Sequence, residues 1–128
     1  MRALLDTHTL LWAFNGDPSL GSGARELIED RSNEILVSAA SGWEIATKVR
    51  LGKLPTGEVL VSDFDYYLAQ LGLESLPISM FHAIRAGSLP GEHRDPFDRM
   101  LISQAQSENL AIVSNDRIFD AYHVKRIW

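Results

Sequence analysis

Short apolar runs alternate with amphipathic stretches along the chain, and that alternation leaves few folds open. Residues 2–5 read as a buried strand. Residues 8–14 follow as a short helix, closed by the turn sequence Asn15-Gly16-Asp17-Pro18. Leu20, Ala24, Leu27 and Ile28 share one helical face, and 34–38 is a second strand. A helix is predicted over 41–51, stopped by Gly52 with Pro55 soon after. Ser62 can cap a helix reaching Gly72, before a short strand over 73–76. A helix over 80–86, a loop over 87–94 and a longer helix over 96–109 come next, and 110–114 and 124–128 read as the last strands. Strands interleaved with helices predict an α/β domain with a mainly parallel central sheet flanked by helices.

A length of 128 residues fits one domain spanning 1–128, with room for a real core. The chain has no cysteine, which excludes disulfides, thiolate zinc sites and a cysteine nucleophile. Any metal must then be held by oxygen or imidazole. The apolar start Ala3-Leu4-Leu5 meets Asp6 at once, too soon for a signal peptide or a membrane span, so a cytoplasmic protein without membrane contact is expected. The formal net charge of -5 counts against a broad basic nucleic-acid footprint. Setting four carboxylates aside as one metal pocket leaves the remainder near neutral, which still does not advertise RNA binding.

In an open parallel sheet, ligands bind beyond the carboxyl ends of the strands, where loops and helix N-termini meet. Four acids fall there. Asp6 ends the first predicted strand and Asp116 follows the strand over 110–114. Glu44 and Asp98 lie in the first turns of the helices predicted to start near Ser41 and Pro96. Such carboxylates repel unless a cation sits between them, and an all-oxygen cluster suits Mg²⁺ or Mn²⁺. Each acid also has a structural reading. Ser41-Gly42-Trp43-Glu44 has the form of a capping box. Asp95-Pro96-Phe97-Asp98 is a helix start with Asp95 as N-cap, and Asp116 can cap a turn over 117–119. Asp6 has no evident capping duty.

The residues Leu4-Leu5-Asp6-Thr7-His8, Ser41-x-Trp43-Glu44-Ile45, the run from His93 through Asp95-Pro96-Phe97-Asp98-Arg99 to Ile102, and Ile112-Val113-Ser114-Asn115-Asp116 resemble the PIN-domain family. Its closest branch is similar to the VapC-type toxins of type II toxin–antitoxin pairs. The likeness runs from end to end and implies a PIN-like three-layer α/β fold and a magnesium-dependent endoribonuclease. Carried over residue by residue, it makes Asp6, Glu44, Asp98 and Asp116 both the metal ligands and the catalytic acids. It places Asp98, rather than Asp95, as the third acid, from its spacing to Leu101 and Ala105. Ser114 and Asn115 match the polar residues that orient the last acid, whereas Thr7 and His8 fit better as helix start and packing.

The mechanism implied is hydrolysis of an RNA phosphodiester by metal-activated water. Lys48, Arg50, Lys53, Arg94 and Arg99 are candidates for gripping RNA, although Lys48 and Arg50 fit a solvated helix face equally well and Arg99 could neutralise nearby acids. The resemblance further implies a cognate small antitoxin protein and a homodimer. The pairing surface would be apolar helix surface, from 8–14 or around Trp43, with Trp43 expected in the core. Other readings are weaker on the residues. A phospho-acceptor receiver domain wants paired acids where Asp6 is followed by Thr7. A haloacid-dehalogenase-type phosphatase wants an Asp where His8 stands. A PIN fold that binds RNA or a partner without cutting keeps the same residues.

Overall fold

The computed structural model describes all residues from Met1 to Trp128. Five parallel strands form one sheet in the order β3-β2-β1-β4-β5: β1 (Arg2–Leu5), β2 (Glu34–Ser38), β3 (Glu74–Leu76), β4 (Ala111–Val113) and β5 (Arg126–Ile127). β1 is central, with Leu4 level with Leu36 on one side and Ile112 on the other. Its side chains alternate between faces, as the two-residue period of a strand requires.

Ala3 and Leu5, with Ile35, Val37 and Val113, face one core layer. That layer is covered by α1 (Thr7–Asn15), α2 (Ser22–Glu29), α3 (Ala39–Arg50), α4 (Glu58–Ser62) and α5 (Phe64–Gln70), through Leu10, Ala24, Ile45, Leu60 and Leu68. Leu4, Leu36 and Ile112 face the other layer, against Leu101, Ile102 and Ala105 of α7 (Pro96–Glu108) and Phe119. α6 (Met80–Ser88) packs beside α7. The buried His82 joins the two helices, with Nε2 2.8 Å from Glu108 and its carbonyl accepting from Ser103 Oγ. Two 3₁₀ turns, Pro55–Gly57 and Arg117–Tyr122, complete the chain. The result is the expected α/β architecture, a parallel sheet between two helical layers. No helix is long and apolar enough to cross a membrane.

Several predicted boundaries move, each for a local reason. α3 starts at Ala39, not Ser41, because Ser38 at the end of β2 is its N-cap and accepts from the Ala40 N–H at 3.0 Å. Ser41 and Glu44 therefore make no capping box, and Glu44 lies in the second helical turn. Two helices stand here: α4, which was not predicted, and α5, which is the helix predicted over 62–72 and begins only after Asp63 leaves helical geometry at φ -156°. Ser62 ends the first of them, its hydroxyl donating to the Val59 carbonyl, instead of capping the second. α1 is longer at both ends than predicted, and its C-cap Gly16 takes a left-handed φ of 62°, which suits glycine.

β1 is flanked by strands reached over opposite faces of the sheet, first β2 through α1 and α2, later β4 through α6 and α7. The carboxyl ends of β1 and β4 thus form a topological switch point, the position where open α/β sheets present ligand sites.

Candidate active site

Asp6 and Ser114 leave the adjacent strand ends of β1 and β4. Asp6 is buried, and contrary to the sequence reading it does cap a helix, since Oδ1 accepts from the Thr9 N–H of α1 at 2.8 Å. Its other oxygen accepts from the Ser114 hydroxyl. Ser114 Oγ in turn accepts the Asp116 N–H at 2.9 Å, so one buried hydroxyl sets the spacing of two of the acids. Asp116 itself is exposed and caps the following 3₁₀ turn through Oδ1, leaving Oδ2 without a partner in the chain.

Glu44 projects from α3 toward α1. Thr7 Oγ1 donates to its Oε1 at 2.7 Å and also lies 3.0 Å from Ser41 Oγ. Lys48, one turn on, pairs with Oε2 at 2.6 Å. Thr7 therefore orients an acid in addition to opening a helix, and Lys48, partly solvated, also lines the site. At the start of α7, Asp95 caps the helix through the N–H groups of Phe97 and Asp98, at 2.9 and 3.3 Å. Asp98 lies half-buried with Oδ2 2.8 Å from His93 Nε2. Burial pushes the Asp98 carboxyl above its ordinary value. The hydrogen bond from His93 opposes that shift, and the charges of Asp95 and Asp116 add to it. His93 opens the motif run, yet the sequence reading gave it no role of its own. Its position five before Asp98, across a loop that ends at an N-cap, was the available signal.

Asp6, Glu44, Asp98 and Asp116 all line one cleft of 390 Å³, together with Asp95, Asn115, His8, Trp12 and Lys48. Nine of the ten lining residues are polar or charged, and five carry carboxylates, the donor class that hard divalent cations take. No three acids or imidazoles close on a common point at ligand distance, and the Asp6 and Glu44 oxygens are held by Thr9, Ser114, Thr7 and Lys48. Asp98 Oδ1 and Asp116 Oδ2 are free of such bonds. Burial is the main cause of the raised Asp98 proton affinity, and the smaller part that comes from the charges of Asp95 and Asp116 is a load that a cation between the acids would relieve. On donor chemistry the residues fit a hard divalent ion.

The other predicted cations fall elsewhere. Arg99 does not neutralise the acids. Its guanidinium donates to the carbonyls of Ala86, Leu89 and His93 and so pins the loop before α7. Arg50 and Lys53 are exposed and line no part of the acidic cleft, and Arg94 borders a separate apolar hollow beside Trp43 and Phe97. Trp43 is 65% exposed, so it is not core. It meets the Phe97 ring edge-on at a centroid distance of 5.1 Å.

A family model described as PIN domain matches residues 3–125. Ribonuclease VapC16 of Mycobacterium tuberculosis is 44% identical over 59 residues, which are 46% of this chain and 40% of that protein. The match thus spans only about two fifths of the relative's length. Among solved structures, VapBC2 from Rickettsia felis bound to a promoter DNA fragment superposes with a TM-score of 0.66 at 20% identity, covering 98% of this chain and 97% of that one. A toxin–antitoxin complex from Klebsiella pneumoniae gives 0.63 at 18%, covering 98% and 96%. At these identities the structural likeness is one of fold.

Proposed function

This chain belongs to the PIN-domain family, and on that basis we propose that it is a metal-dependent endoribonuclease, the toxic component of a VapC-type toxin–antitoxin pair. One observation carries the reading. Four acids from four separate segments, Asp6, Glu44, Asp98 and Asp116, share a single polar cleft at the switch point of the sheet. The names of a partial relative and of the structural neighbours point the same way. The reading takes residues 1–128 as one domain.

Asp6, Glu44, Asp98 and Asp116 would hold Mg²⁺ or Mn²⁺, which when bound lowers the pKa of water and offsets charge on the attacked phosphate. The chain's own residues prepare the place. Ser114 fixes Asp6 against the Asp116 backbone, and Thr7 and Lys48 hold Glu44 from two sides. Asp98, with Oδ2 tied to His93, keeps Oδ1 free of bonds within the chain, and would accept a proton there. Lys48 is the one lysine or arginine on the cleft wall and offers charge to an RNA phosphate.

Partners follow from the same surface. An exposed acidic cleft is a target for an arginine from a small antitoxin, which can pair bidentately with a carboxylate and shield the ion site. Trp43 with Phe97, and Met80, Phe81 and Ile84 along α6, leave apolar side chains on the outside, where a second copy would cover them as a homodimer. The test incubates the purified chain with total RNA in Mg²⁺ or in EDTA and sequences the new ends. Discrete new ends in Mg²⁺ alone support the reading. Intact RNA in both would leave a PIN fold that binds without cutting.

A further inference from the structure

The largest cleft in the molecule is not the acidic one. It measures 730 Å³ and lies between the loop after α6 and the 3₁₀ turn that Asp116 opens. His93 belongs to it and also bonds Asp98, so the two clefts adjoin through one side chain. Its walls are largely apolar, formed by Leu89, Pro90, Ile118 and the buried Tyr122. Gly91 turns the loop over the Tyr122 ring at φ +102°, and a Cβ there would meet the phenol oxygen at 2.7 Å. Polar groups sit at the edge. Arg85 donates from one terminal nitrogen to Gln106 at 2.7 Å, its Nε is buried without a partner, and its Nη1 makes no hydrogen bond within the chain. His123, held in a left-handed conformation at φ 57°, presents an imidazole with no partner of its own.

Apolar walls with an arginine and an unpaired imidazole beside them suit a nucleobase, which stacks through its faces and hydrogen-bonds through its edge. The volume is in the range of small-ligand pockets. Taking the proposed ribonuclease reading as the starting point, we propose that this cleft receives an unstacked base of the RNA strand beside the phosphate in the acidic cleft, and that Arg85 reads its edge. The surface next to the acids would then supply sequence preference, through a pocket that contains none of the four acids. Glu92 on the same rim disfavours a phosphate there and leaves the base as the fitting part of the nucleotide.

The test titrates the isotope-labelled full chain with AMP, CMP, GMP and UMP and follows backbone amide shifts. Shifts for residues 88–91 and 118–123, stronger for one base than for the others, support the proposal. Ala121→Trp fills the cleft from an exposed position and should abolish those shifts, with thermal unfolding showing that it folds. Should it not fold, Arg85→Gln serves, with the base discrimination reduced about tenfold, the loss expected for one hydrogen bond. Shifts confined to the acidic cleft, or equal binding in the filled variant, overturn the proposal. If nucleotides bind here with base preference and yet no RNA is cut, the base pocket stands and the ribonuclease reading falls.

Discussion

At the scale of single residues, Ser114 holds the site together. Its buried hydroxyl donates to Asp6 and accepts from the Asp116 N–H. Ser114→Ala leaves both groups short of a partner. It is expected to cost about 1 kcal/mol of stability and to lower RNA cleavage by more than that loss explains, since both acids lose their mutual spacing; chemical denaturation alongside cleavage rates separates the two. The assignment of the third acid is testable in the same way. Asp95 contacts backbone N–H groups only, a duty that asparagine performs nearly as well, so Asp95→Asn should change stability and activity little. Asp98→Asn keeps the shape of the side chain and removes its charge, and should stop cleavage while leaving the fold intact. Loss of activity in the Asp95 variant with a fully active Asp98 variant would reverse the assignment.

At the scale of elements, α7 joins the site to the core. Asp95 and Pro96 start it, Asp98 faces the cleft, and Ile102 is fully buried against Leu4 and Ile112. Ile102→Ala should cost about 2–5 kcal/mol through the cavity it leaves, measured as a fall in the denaturation midpoint. At the sheet edge, Arg126 of β5 pairs with Asp120 at 2.9 Å and donates to the Ser114 carbonyl. The hydrogen bond from Arg126 holds the Asp120 carboxyl below the usual carboxylate value. A lowered acid stabilises the fold above its unfolded value and loses that contribution as pH falls through the folded one. Asp120→Asn should therefore melt below the native protein at pH 7, with the gap closing as pH falls below about 4. A gap that stays constant with pH would mean that the pair is not its source.

Much of this was legible because strands and helices carry different periods. The apolar runs around Leu4, Leu36 and Ile112 marked the three central strands, and the Asp95-Pro96 start marked α7. What escaped depends on contacts distant in sequence. Ser38 looks like the end of a strand until its hydroxyl is seen capping α3. Trp43 has the composition of core, yet α3 turns it outward, and Arg99 has the charge to meet acids but finds three carbonyls instead. The pairing of His93 with Asp98 needed the loop path, which no local pattern encodes.

At the scale of the whole molecule, the two helical layers share one sheet, so 1–128 should unfold in a single cooperative transition by calorimetry. Separate transitions would argue for more than one folding unit. The net charge of -5 offers RNA no basic face, and Lys48 is the one lysine or arginine on the wall of the acidic site. That site is the central claim, and the cleavage rate of one defined RNA as a function of free Mg²⁺, for the native chain and for Asp98→Asn, tests it most directly. The account predicts a rate that rises with Mg²⁺ and saturates, vanishes in EDTA, returns with Mn²⁺, and falls at least about a hundredfold in the variant. Cleavage that persists in EDTA, or that proceeds equally in the Asp98 variant, would contradict it.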